Sequence, residues 1–513
     1  MKAVRSDAYH AAKWSEPIIH ELGKKGRRGF FAPSDGSEDL DVSKIVPEKI
    51  ARKGKPELPE LSEPEVLMHY EHLSQQVLGM MGISLFGTCT MKYNPRIGEL
   101  VGLQEEVADV HPLQDPSTIQ GILEILYKVN EFLCDLSGMD RFIFQPGGGA
   151  HASYTHACIT RAYFKDKGEL GKRNEIITTM QSHPCNAATA AAAGFRVVTL
   201  PIEENGYPSL EALKAAVSER TAALMVGNPD DMGIYNPEIK MWTEIVHSVG
   251  GLCFYDHANF NGVMGKIRAA ELGFDACMFM LHKTFGAPKG GGGPAVGAYG
   301  CKEHLIKYLP GPLIVRNGDR YDLIENSSPP AVGRIREYLG NVPQVIKAYI
   351  WLRSMGIDGV QQASDISVLV NNYMDKRLTS IPGVKRALPH LTGPRMEMTR
   401  YSVEEIKQQT GVSIIDIQHR MLDFGIDAFW LSHEPWFVPE PFTPEAGEMW
   451  SKEDIDYWID CFAMVCEEAR TNPDFVRTAP HNQVLPRGEA VDVDQPDKWA
   501  TTWRAYQKKW KNK

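Results

Sequence analysis

The chain has 513 residues, 43% hydrophobic and 23% charged, an ordinary globular composition with length for two or three cores. Its 55 Lys and Arg against 65 Asp and Glu give a net charge of −10, which excludes strong attraction to nucleic-acid phosphates or anionic membranes. Nine cysteines without CxxC spacing read as buried thiols of a reducing compartment, so neither disulfides nor a metal site is expected. No apolar stretch approaches the ~20 residues that cross a bilayer, and the first residues carry Asp7 and Glu16 with no apolar leader, so a cytoplasmic protein is expected.

Residues 1 to 65 are rich in Pro, Lys and Glu with weak periodicity, and read as an extended arm. Helical periodicity follows, then the loop Gly87-Thr-Cys-Thr-Met-Lys-Tyr-Asn-Pro-Arg96. Apolar residues at Ile122, Leu123, Ile125, Leu126, Val129 and Phe132 predict a helix over 118–137. Between 140 and 300, apolar runs at 142–144, 175–179, 196–201, 223–226, 252–255 and 276–281 alternate with helical stretches. This pattern predicts an α/β domain with a mostly parallel sheet, whose ligands bind at the carboxyl ends of the strands. Polar clusters at 145–149, 183–186, 228–229, 256–257 and 282–283 fall at those ends. After 335 a smaller α+β region is expected, with helices over 342–352 and 452–468. The expected division is an N-terminal arm and helix over 1–75, a large domain over 76–335, a small domain over 336–471 and an extension over 472–513.

Two of these strand ends carry opposite charges. Asp256 closes the run 252–255, and Lys283 follows the run 276–281 just ahead of a glycine-rich stretch. A buried carboxylate needs a cationic partner, and a lysine amine can form a Schiff base with an aldehyde. Together they are what a pyridoxal 5′-phosphate (PLP) enzyme requires: the lysine holds the cofactor, and the carboxylate keeps its pyridine nitrogen protonated as an electron sink. The segment Gln145-Pro-Gly-Gly-Gly-Ala150-His151 opens a helix whose amides and dipole suit an anion, without the GxxxxGK[ST] spacing of a P-loop. The glycines at 290–293 read equally as a hinge, a lid or a phosphate cradle for a neighbouring site.

At these residues the chain resembles the P-protein of the glycine cleavage system in its split form, where the PLP-carrying polypeptide is subunit 2 of glycine dehydrogenase (decarboxylating). The resemblance runs nearly end to end. It includes Ser62-Glu-Pro-Glu-Val-Leu-Met-His-Tyr70, the 87–96 loop, His111-Pro-Leu-Gln114, Ser137-Gly-Met-Asp140, the 145–151 segment, Tyr255-Asp256, Ala258-Asn259, His282-Lys-Thr-Phe285 and Glu440-Pro-Phe-Thr-Pro-Glu445. It implies fold type I (aspartate aminotransferase-like), a large PLP-binding α/β domain with a smaller α+β one. Carried onto this chain, Lys283 is the Schiff-base lysine and Asp256 the pyridinium partner. His151 stacks on one ring face with Ala258 on the other, Gly148, Gly149 and Ala150 hold the phosphate, and Asn186 is a further cofactor contact. His151 and His282 join Lys283 as candidate catalytic groups. The implied reaction removes CO2 from glycine and passes the aminomethyl group to the lipoyl arm of H-protein, with a second, non-PLP subunit 1 as partner.

The departures from the family pattern sit in the loops. Ala-His-Gly-Glu becomes Ala150-His151-Ala152-Ser153, and His-Gly-Thr-Asn-Pro-Ala becomes His183-Pro184-Cys185-Asn186-Ala187-Ala188. Asp-Gly-Ala-Asn becomes Asp256-His257-Ala258-Asn259, and Pro-His-Gly-Gly becomes Pro288-Lys289-Gly290-Gly291. Losing an acid and gaining Lys289 would make the mouth of the site more positive. With His257 beside the cofactor acid, this raises an alternative: a homodimeric paralogue using the same cofactor on another amino acid, without H-protein.

Overall fold

The computed structural model describes residues 16–29, 40–54, 56–76, 83–86, 95–287, 295–427, 429–434, 436–484, 487, 500 and 502–511. Most of the 87–96 loop, Lys289 and the 290–293 glycines lie outside the described residues. The chain divides into two compact units: Met1–Ile83 with Ile415–Asp427 and Asn472–Lys513, and Ser84–Ile414 with Ala428–Thr471.

In the first unit, helix α1 (Glu63–Gln75) opens on a capping box, the Glu65 carboxylate accepting both the amide and the hydroxyl of Ser62 at 2.8 Å. Glu16 lies between two histidines of this helix, 2.7 Å from His69 Nδ1 and 3.1 Å from His72 Nδ1. The Asp423 carboxylate accepts the amides of His481 and Asn482 at 2.7 to 2.9 Å.

The second unit is built on a seven-stranded sheet of order β1-β7-β6-β5-β4-β2-β3. The strands are β1 (Arg141–Ile143), β2 (Glu175–Thr179), β3 (Arg196–Leu200), β4 (Thr221–Gly227), β5 (Leu252–His257), β6 (Ala276–Met280) and β7 (Gly297–Cys301). β7 runs antiparallel to both neighbours and the other pairings are parallel, so β1 to β6 share one direction and end at one edge. Those six are the predicted runs, shifted by a residue or two at their ends. β7 is not among them. Its glycines hide it: a Cβ at Gly300 would come within 2.3 Å of the Phe142 ring, and one at Gly297 within 2.9 Å of the Gly148 carbonyl oxygen. Close packing, rather than strand propensity, selects those residues.

The helices α2 (Gln120–Ser137), α3 (Gly149–Asp166), α4 (Pro184–Ala192), α5 (Ile239–Ser248) and α6 (Val342–Leu378) cover the sheet; α6 is interrupted at Gly356, where φ is +61°. Leu133 of α2, Trp242 of α5 and Trp351 of α6 pack with Tyr255 and Phe279 on one sheet face. Ile159 and Phe164 of α3 and Ala190 of α4 pack with Phe254 and Met278 on the other. With both faces covered, β5 and β6 are buried along their whole length, and successive residues point into opposite layers. Beyond the sheet lie a hairpin, β8 (Leu313–Asn317) with β9 (Arg320–Ile324), and a small antiparallel sheet. The small sheet comprises β10 (Lys385–Arg386), β11 (Tyr401–Ser402) and β12 (Pro441–Phe442), and helix α7 (Lys452–Thr471) packs on it, with the Phe442 and Phe462 rings 4.7 Å apart. The eight described cysteines are free, and no described helix is long and apolar enough to cross a membrane.

Candidate active site

Alternation along β5 decides what faces the site. Phe254 stacks on His156 of α3 at 4.5 Å, and two residues on, Asp256 points into the same layer. There its Oδ2 accepts from Asn186 Nδ2 of α4 at 3.0 Å, while Oδ1 accepts from the Ala258 amide at 3.0 Å. Asp256 is 7% exposed. A buried carboxylate held by two neutral donors suits a cationic ring nitrogen.

The loop after β1 leads into α3 through Gly148, the residue preceding its first turn. A Cβ at Gly148 would meet nothing within 4 Å, and one at Gly149 would find Met280 Sδ nearest, at 3.6 Å. The first amides of α3 have no acceptor within their own helix, so this 18-residue helix offers an anion both donors and dipole. His151 is anchored in the same turn, its Nδ1 accepting from the Gly147 amide at 3.1 Å. Burial pushes its pKa down, a hydrogen bond with the Ile335 backbone opposes this, and the Arg336 charge adds to the lowering.

Lys283 sits in the turn after β6, its amide donating to the Met280 carbonyl at 3.0 Å. Its charge and that of Asp256 act on the same three groups: His183, Cys185 and Asp231. Burial is the main reason the Cys185 thiol is pushed up to about 12; Asp256 raises it further and Lys283 opposes. His183 caps α4, its Nδ1 accepting from the Cys185 amide at 3.0 Å, and its ring meets that of His433 edge-on at 4.6 Å. Burial lowers the pKa of His183; it also takes His433 down to about 4, helped by the charges of Arg400 and Lys283. Arg400 is buried over the Trp430 ring, donating Nη2 to the Asp231 carbonyl and Nε to Thr443 Oγ1, each at 3.2 Å.

The family profile described as aminotransferase class-V matches residues 139–425. The chain is 43% identical over 501 residues to a protein of Pyrococcus abyssi named probable glycine dehydrogenase (decarboxylating) subunit 2, spanning 97% of this chain and 98% of that one. The chain belongs to the glycine dehydrogenase (decarboxylating) subunit 2 family. A Staphylococcus aureus protein of the same name is 38% identical over 484 residues, 94% of this chain and 97% of the relative. A crystal structure of glycine decarboxylase (P-protein) of the glycine cleavage system, in inhibitor-bound form, matches with a TM-score of 0.69 and 19% identity over 84% of this chain and 96% of that one. The fold is therefore that of fold type I PLP enzymes, and the cofactor is PLP.

The residues present fit that cofactor: a buried carboxylate held by neutral donors for the ring nitrogen, an open glycine-lined helix start for the phosphate, and a lysine in the turn after the neighbouring parallel strand β6. Asp256, Asn186, Ala258, Lys283 and the 148–151 turn all lie at the edge where the six like-directed strands end. His282 is turned toward the entry of β7, its Nδ1 3.1 Å from the carbonyl oxygen and 3.3 Å from the amide nitrogen of Val296. His257 does not face the mouth of the site. It points into the opposite layer, 3.6 Å from Tyr255, 4.8 Å from Phe260 and 5.6 Å from Phe279 between ring centres. The sequence reading missed Arg400, Asp231 and His433. The available signal was an arginine between the buried Met398 and Tyr401, ahead of a strand.

Proposed function

We propose that this protein is the PLP-carrying subunit of a cytoplasmic glycine-cleaving P-protein. In this reading it works with a non-PLP subunit 1, releases CO2 from glycine and passes the aminomethyl group to the lipoyl arm of H-protein. Bound between Asp256 and Lys283, PLP supplies an electron sink for the pair left when the carboxyl group departs. Lys283 would hold the cofactor, and Asp256 would keep its ring nitrogen protonated. The amides of Gly148, Gly149 and Ala150 would hold the phosphate, with His151 and Ala258 against the two ring faces. His282 would orient the Lys283 turn through Val296. Arg400 brings the fixed positive charge that a substrate carboxylate requires. His183, kept neutral by burial and accepting at Nδ1, holds its proton on Nε2.

The observation that carries this reading is the placement of Asp256 and Lys283 at the ends of the neighbouring parallel strands β5 and β6, in a chain 43% identical to a glycine dehydrogenase subunit over nearly its full length. The test is exchange of labelled bicarbonate into the glycine carboxyl group, with subunit 1 and lipoylated H-protein supplied. Exchange that depends on both is expected. No exchange with glycine, alongside a borohydride-trapped Lys283 adduct and turnover of another amino acid, would overturn it.

A further inference from the structure

We infer that Ser153 is a positioning residue that orients the cofactor acid through Asn186. Ser153 and Asn186 are both fully buried, so neither can turn to water for a partner. The Ser153 hydroxyl lies 3.2 Å from Asn186 Oδ1, and Asn186 Nδ2 lies 3.0 Å from Asp256 Oδ2. An asparagine amide has a donor end and an acceptor end, and rotating it exchanges them. In the observed order the serine proton is given to Oδ1, which leaves the NH2 group facing the carboxylate. In the reversed order Oδ1 would face the carboxylate, oxygen against oxygen. The other atoms near the serine hydroxyl are Cys185 Sγ at 3.6 Å and Met278 Sδ at 3.7 Å, both weak acceptors beside an amide oxygen. The carboxylate can only accept, so it selects that order, and the serine hydroxyl secures it by donating to Oδ1, completing a chain that runs Ser153, Asn186, Asp256. With Oδ1 of Asp256 occupied by the Ala258 amide, that polarity fixes the plane of the carboxylate that would meet the ring nitrogen.

The inference rests on the proposed role of Asp256, and its test separates the two. Equilibrium PLP affinity is measured by fluorescence quenching on wild type, Ser153→Ala, Asn186→Ala and the double variant, with the visible cofactor band recorded for each. Ser153→Ala is expected to weaken PLP binding roughly three- to ten-fold, the scale of one buried hydrogen bond. It should also move the visible band, a readout that the loss of a purely structural hydroxyl would leave in place. In the Asn186→Ala background the serine change should have no further effect on affinity or band, because the serine acts only through the amide. A wild-type band and affinity in Ser153→Ala, or the same loss repeated in the Asn186→Ala background, overturns the inference. So does a lowered apoprotein melting temperature with an unmoved band, which marks a purely structural hydroxyl. If wild type itself takes up no PLP, the role of Asp256 falls first and the serine chain with it.

Discussion

Asp256 and His257 are neighbours in sequence and lie in different layers of the molecule. Asp256→Asn keeps the size of the side chain and removes its charge. Glycine–bicarbonate exchange is expected to fall by about a hundred-fold or more, the scale of losing one electrostatic partner in a site, while the fold is kept. His257 is 2% exposed, neither ring nitrogen has a hydrogen-bond partner among the described residues, and burial takes its pKa down to about 3. An unsatisfied buried polar group costs about 1–3 kcal/mol, so His257→Leu is expected to raise unfolding stability by roughly that amount in denaturant titrations, with exchange activity unchanged. A variant that lost activity at unaltered stability would return His257 to the site. Alternation along β5 already separates the two residues on paper, because an apolar run buried on both faces must send consecutive side chains to opposite sides. A departure from a family motif is therefore not evidence about substrate until its direction is known. Arg400 was harder to find. Its partners, Asp231 and Thr443, are far from it in sequence, and no local pattern announces a buried cation.

At the scale of elements, the parallel strands were legible because long β-branched and apolar runs are required where both sheet faces are covered. β7 was not, because two of its five positions are dictated by what lies against them. Those two glycines serve different neighbours, and substituting each should have a different result. Gly300→Ala would drive a methyl group into the Phe142 ring, which stacks on Phe279 at 5.6 Å. A loss of about 1–3 kcal/mol of stability is expected, with PLP affinity little changed in the protein that folds. Gly297→Ala would press on the Gly148 carbonyl, at the entry to α3 and the proposed phosphate cradle. PLP affinity should fall by more than stability does, which paired measurements of cofactor dissociation and urea unfolding would show. Equal losses of affinity in both variants would mean that the sheet as a whole, not the start of α3, governs retention.

Across the whole molecule, the buried histidines predict the response to acid. His156 and His257 are both fully buried, and desolvation takes each to about 3, below the ordinary value of about 6.5 for an unfolded chain. Between those values the unfolded chain binds protons that the folded one refuses. Stability from these groups is complete above the unfolded value and is lost as pH falls toward the folded one. Each contributes a slope of about 1.4 kcal/mol per pH unit in that window. His247 works in the opposite sense: its hydrogen bond to Asp275 raises its pKa, so its contribution is lost as pH rises. Unfolding curves from pH 6 to 4 should therefore show His257→Leu with a shallower decline than wild type, by about one histidine's slope. Parallel declines would mean that water reaches His257 in the folded state.

The reversed strand also sets an order of events during synthesis. β1 leaves the ribosome first among the sheet strands, yet in the sheet it pairs with β7 alone, which is the last to be made. The Gly297 amide then closes onto the Pro146 carbonyl at 2.8 Å, two residues before Gly148. A nascent chain that already displays Asp256 and Lys283 would therefore have both proposed charged anchors for the cofactor and no fixed form of the proposed phosphate cradle. On the proposed site, loading with PLP is expected to follow the emergence of β7, so that the vitamin-derived group would enter a sheet that has already closed.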